Sequence, residues 1–245
     1  MSQLTVFFVF LFAAGSWAAM PHGWQSCPKS SKDHIPCLIK QVNKAIQTLK
    51  GGSKPLAVNP LDPLRILTLK IDQGSGPVSI KLEFKDTDIS GLSTCVLKTL
   101  TNKDWKRLEG TGTCKTLDVN GKYKIDGKIL ALPIQGEGDS KVHLDEVNVV
   151  VSVDIKEIDG KDGKKHFSAE SFNFVITPTK QTFNFENLFN GNKALADNMN
   201  TFLNENGEQI FKELQPAISK ALSQAFSVIT NQIFSKIPSN EINVK

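Results

Sequence analysis

Four cysteines and four histidines are the residues of this chain best equipped for chemistry. His22, His34, His143 and His166 are spread far apart, and none sits in a nucleophile or metal-binding motif. No Gly-x-Ser-x-Gly elbow is present, and Gly136-Glu137-Gly138 lacks the Gly-Lys-Ser/Thr that a phosphate loop needs. The cysteines include no C-x-x-C pair, the spacing that a structural zinc site uses. They fit disulfides in an oxidising compartment instead. Four cysteines allow three pairings, which the sequence leaves open. The preferred one closes the short loop from Cys27 to Cys37, pinning an N-terminal arm to the first helix. It leaves Cys95 and Cys114 for neighbouring antiparallel strands. The expectation is a protein without catalytic residues, metal or cofactor.

Binding an apolar molecule asks for a different inventory: apolar wall area and at most one polar anchor. The chain has fifteen Phe and one Tyr. Tyr123 alternates in phase with Ile125, so both should point inward while Lys122 and Lys124 face water. The buried phenol would seek a partner, either an epoxide or carbonyl of a ligand or a backbone carbonyl of the core. Val149, Val151 and Phe174 on strands, with Phe202, Phe211 and Phe226 on a helix, are candidate wall residues, although such stripes also build ordinary cores. Trp24, beside Cys27, is placed as a gate on the N-terminal arm. Trp105 follows the polar Asn102-Lys103-Asp104 and reads as a surface cover residue.

The elements that must position these residues are legible in the periodicity. Asp33 to Leu49 has apolar residues at helical spacing, ended by Gly51-Gly52. After Pro63 the period becomes two. Leu67, Leu69 and Ile71 alternate with polar neighbours, as do Val78, Ile80, Leu82 and Phe84. Turns are expected at Gly74–Pro77, Asn120-Gly121, Asp126-Gly127, Gly136–Gly138 and Asp159-Gly160. Val147, Val149, Val151, Val153 and Ile155 form the cleanest alternation, and Phe172, Phe174 and Ile176 repeat it. From about Ala194 the helical period returns and holds to the C-terminus, with Pro216 expected to kink or break the helix near residue 214. Long up-and-down strands facing one long helix give an α+β fold with an antiparallel sheet covered on one face.

Leu4 to Ala14 is an apolar run of eleven residues followed by Ser16-Trp17-Ala18, which reads as a signal peptide cut after Ala18. One domain over residues 19–245 and an extracellular location follow. The net charge of +4 comes from scattered lysines, which argues against nucleic acid as a partner. Contact with membranes is expected to be transient at most.

Several stretches resemble the takeout and juvenile-hormone-binding family of insect secreted proteins. They are Cys27 and Cys37 ahead of an amphipathic helix, Leu61-Asp62-Pro63-Leu64-Arg65-Ile66, Gly121-Lys122-Tyr123 and the run from Gly127 to Gly138. The most specific is Asn187-Leu188-Phe189-Asn190-Gly191 followed by Met199 to Asn206. The resemblance implies a strongly curved antiparallel sheet wrapped around a long C-terminal helix, of the tubular lipid-binding type, with an apolar tunnel between them. It also implies a carrier of juvenile hormone, a related terpenoid or a fatty-acid-like molecule, tied to feeding, chemosensation or circadian physiology. A membrane-engaging lipid-transfer protein of the same architecture, or a secreted interaction protein with no cavity, are the alternatives. Two departures stand out: Gly207 replaces the aromatic usual after Asn-Glu-Asn, and Cys95 and Cys114 exceed the single cysteine pair of many members.

Overall fold

The computed structural model describes residues 20–243 apart from 22, 75 and 131, so the expected leader lies outside the described residues. Helix α1 (His34–Thr48) is followed by seven strands: β1 (Leu64–Gln73), β2 (Val78–Ser90), β3 (Val96–Lys103), β4 (Arg107–Ile129), β5 (Leu132–Asp159), β6 (Lys165–Thr177) and β7 (Lys180–Phe185). Helices α2 (Lys193–Glu205), α3 (Gly207–Phe234) and the short α4 (Ser239–Ile242) complete the chain. All pairings are antiparallel. The spine is the β4–β5 ribbon, paired from Arg107↔Asp154 to Ile129↔Leu132. On the β4 side it carries β3 along one half and β2, then β1, along the other; on the β5 side it carries β6 and β7. The 28 residues of β5 have a contour of ~90 Å at ~3.3 Å per residue. That span explains how the sheet faces α2 and α3 in turn.

The spine is longer than the turn signals suggest. Asn120-Gly121, Asp126-Gly127 and Gly136–Gly138 lie inside β4 and β5, and of the expected turns there only Asp159-Gly160 marks a real strand end. Glycine at these points serves close approach, not reversal. A Cβ on Gly136 would come within 2.9 Å of both the Leu188 Cα and the Tyr123 hydroxyl, so glycine lets residues 186–188 cross the sheet. Gly127 has φ +146°, and a Cβ there would collide with the carbonyl oxygen of Ser79.

The valine ladder alternates as expected, with Val147, Val149, Val153 and Ile155 buried and Val151 half-buried. In β1 the phase slips: Leu69 and Ile71 are buried but Leu67 is 73 % exposed. It lies opposite Asp86, which takes φ +49° where β2 bulges between Lys85 and Asp88. The bulge moves the following residues to the other face. Trp105 also differs from expectation. It is buried, stacked on Phe167 at 5.0 Å, because the turn before β4 folds the ring under α1 and β6.

The C-terminal helical run is divided, though not at Pro216. The break falls at Asn206, with φ −109° and ψ 17°, where Gly207 packs against the Gln181 side chain. Pro216 stays inside α3. It lies on an exposed face with Lys212, whose carbonyl loses its helical donor. Water can take that place, which explains why the helix continues. The inner stripe of α3, Ile210, Phe211, Leu214 and Leu222, is buried against the sheet. The disulfides are Cys27–Cys37, with Cα atoms 5.7 Å apart, and Cys95–Cys114, with Cα atoms 3.9 Å apart. The second joins the residue before β3 to β4, beside the Val96↔Thr113 pair.

Candidate functional site

Alternation on β1, β2 and β4 sends Leu69, Ile71, Ile80, Leu82 and Ile125 to the concave face, and the α3 stripe brings Ile210, Phe211 and Leu214 opposite them. Between them is a cavity of about 100 Å³. Every lining residue is Leu, Ile, Val or Phe. A wall of this kind offers no hydrogen bond, so water gains nothing there and an apolar chain gains the transfer free energy of its buried surface. It can hold such a molecule, and it presents no group able to move a proton or attack a carbonyl.

Of the nine residues singled out in the sequence, Ile125 and Phe211 line this cavity. Tyr123 packs with Phe185 at 4.8 Å, and its hydroxyl donates to the Glu186 carbonyl at 2.7 Å, the core partner weighed above. Burial pushes its pKa up to about 12. Val149, Phe174 and Phe226 pack together further along the sheet, the two rings 4.5 Å apart, and Val151 belongs to the cluster around Trp105 and Phe167. Phe202 lies at the tip of the β4–β5 ribbon, beside a surface groove with Leu132, Phe189 and Leu195. Trp24 rests on the last turn of α1, donating from Nε1 to the Thr48 hydroxyl at 2.9 Å.

Among the described residues, His34, His143 and His166 stand outside the cavity. His143, on the outer sheet face, lies between Asp118 and Asp145, and His166 lies between the Phe234 carbonyl and Asp162. Sequence reasoning missed the residues that join helices to sheet. Asn200 and Asn204 on α2 bond the edge of β7, while Gln215, Ser223 and Asn231 on α3 bond the edge of β6. Their spacing, multiples of four along a helix, was the available signal.

A sheet wrapped on a long helix around an apolar space leads to known proteins. Residues 5–243 match the family described as haemolymph juvenile hormone binding protein. The chain belongs to that family. It is similar to the circadian clock-controlled protein daywake of Drosophila melanogaster, at 28 % identity over 215 residues, covering 80 % of this chain and 83 % of that one. The daywake protein of Drosophila yakuba is 29 % identical over 190 residues, covering 74 % and 73 %. Among solved structures, that of Epiphyas postvittana Takeout 1 superposes with a TM-score of 0.76 at 25 % identity, covering 87 % of this chain and 97 % of that one. The fold is thus the family's: α+β, with seven antiparallel strands and a long C-terminal helix. Membership makes this a protein of a lipophilic-ligand-binding class.

Proposed function

We propose that this protein is an exported, non-enzymatic carrier that encloses a small lipophilic molecule in the cavity between β1, β2, β4 and α3. Juvenile hormone, a related terpenoid and a fatty-acid-like chain are the candidate cargoes, and feeding, chemosensation or circadian physiology the setting. The observation that carries the reading is the wholly apolar wall of that cavity. Ligand binding to the folded state alone raises stability by ~2.7 kcal/mol at a hundredfold excess over Kd. A panel of juvenile hormone, farnesol and long-chain fatty acids should therefore raise the melting temperature for at least one member. Ile125→Trp should remove that response by filling the cavity. If no member shifts the transition, and Ile125→Trp only costs the ~1–3 kcal/mol of an overpacked core, the interior is solid and the reading is lost.

A second reading rests on the ribbon tip, where Leu132 and Leu195 are exposed around a groove that also contains Lys128 and Asp126. Such a tip suits brief contact with an anionic membrane during loading. Co-flotation with phosphatidylserine vesicles that Leu132→Glu abolishes would support it, and absence of co-flotation would remove it.

A further inference from the structure

Strand β6 is an edge strand, and α3 runs along its free side. Residues 215, 219, 223, 227 and 231 recur every four positions and so share one face of α3; they are Gln, Ser, Ser, Ser and Asn. Three of them close the seam. Gln215 donates to the Ile176 carbonyl at 2.9 Å, the Phe174 N–H donates to Ser223 at 2.9 Å, and Asn231 accepts from the Ala169 N–H at 2.8 Å. Ser219 falls midway between Gln215 and Ser223. It is only 7 % exposed, and its hydroxyl has no hydrogen-bond partner.

The seam separates two spaces. Ile176, Ile218 and Leu222 face the apolar cavity, while their chain neighbours Val175, Ser219 and Ser223 line an open outer groove. The partition is therefore a single residue deep on both strand and helix. Ser171, Asn173 and Ser227 also line the groove, with Lys220 adding a positive charge. A buried hydroxyl without a partner is destabilising, and alanine would suit the helix interior better. A bound group that pairs with it would offset that cost.

We propose that the α3–β6 seam at Ser219 holds the oxygen-bearing end of a single-chain amphiphile whose hydrocarbon part lies in the apolar cavity. This rests on the carrier reading and adds the class of ligand, since an all-apolar wall by itself would not distinguish an alcohol from a hydrocarbon. A serine hydroxyl can donate to an ester or carboxylate oxygen, or pair with an alcohol in either sense.

The test compares matched probes, farnesol with farnesene and hexadecanol with hexadecane, by fluorescence displacement on the full chain. The wild-type protein should bind the alcohol of at least one pair about three- to tenfold more tightly than its hydrocarbon, the worth of one hydrogen bond. Ser219→Ala should bring that ratio near one, and Ser219→Thr should keep it. Without ligand, Ser219→Ala should melt about 2–4 °C higher, whereas a serine that serves only the fold would melt lower when removed. Equal affinity for alcohol and hydrocarbon in the wild type, or a preference that survives in Ser219→Ala, overturns the seam site and leaves the carrier reading standing. Failure of all four probes to bind overturns the seam site, while the carrier reading stands or falls separately on the melting-temperature panel and Ile125→Trp.

Discussion

Two helix–strand seams close this molecule, and they are built to different tightness. Where α2 meets β7, Asn200 accepts from the Phe185 N–H and donates to its carbonyl, each at 2.9 Å. Asn204 does the same to Phe183 at 2.7 and 2.9 Å. An asparagine amide copies the backbone, so two of them four residues apart act as a short extra strand on an edge that would otherwise be unpaired. Where α3 meets β6, only Asn231 makes such a double contact, to Ala169. Gln215 and Ser223 supply one-sided bonds, and Ser219 supplies none. The outer groove runs along this second seam. A sheet can thus be sealed at one seam and left able to part at another, using the same helix spacing and different side chains.

The largest effect is expected at the sealed seam. Asn200→Leu keeps the side-chain size but leaves the N–H and C=O of buried Phe185 unpaired. Each unmade bond costs about 1–3 kcal/mol, so about 2–4 kcal/mol should be lost in urea unfolding after partial hydration. A loss below about 1 kcal/mol would mean that water replaces the asparagine and that the seam is not held this way. Asn231→Leu removes an equivalent pair, but it sits one turn from the end of α3 at Phe234, where fraying admits water. About 1–2 kcal/mol is expected there. Ser223→Ala forfeits a single bond, about 1 kcal/mol. It should also speed amide exchange at Phe174 before that at Phe185. The reverse order of exchange would show that α3–β6 is the tighter seam and break the comparison.

The sequence announced the seams' apolar sides more clearly than their polar ones. Alternation from Val147 to Ile155 reports burial directly, since a strand with one dry face must place every second residue there. The stripe through Ile210, Phe211 and Leu214 did the same for α3. Glycine was harder to read, because Gly121, Gly127 and Gly136 mark places where other backbone presses close and not chain reversals. The cavity was legible only in part. Ile125 and Phe211 reach it, whereas Phe174 and Phe226 are drawn into contact with each other. Periodicity tells which face of an element is dry, but not whether the dry face meets a ring or a void. That depends on partners distant in the chain, such as Phe167 under Trp105. The polar stripe from Gln215 to Asn231 is visible in the sequence, yet it resembles a solvated helix face until a strand edge is set against it.

The smallest effect concerns the sheet beside the sealed seam. His143 on β5 is paired with Thr182 of β7, and its ring lies between two carboxylates. Asp118 is 2.6 Å from Nδ1 and Asp145 is 3.1 Å from Nε2. Two acceptors require both nitrogens to carry protons, which favours the imidazolium. The His143 pKa is accordingly raised, first by the hydrogen bond to Asp118, with partial desolvation opposing and Asp145 adding to the rise. A folded-state pKa above the unfolded value of about 6.5 gives stability that is complete below about pH 6.5 and fades as pH climbs through the folded value. The ring is 42 % exposed, so water screens the interaction and the change should stay under about 1 kcal/mol. Melting curves from about pH 6 to pH 8.5 should show the wild type losing slightly more stability than His143→Gln, with amide exchange in β7 quickening over the same range. Parallel curves for the two proteins would show that the Asp118–His143–Asp145 contacts are neutral to folding, leaving the asparagines and the β5–β7 ladder to hold β7 in place.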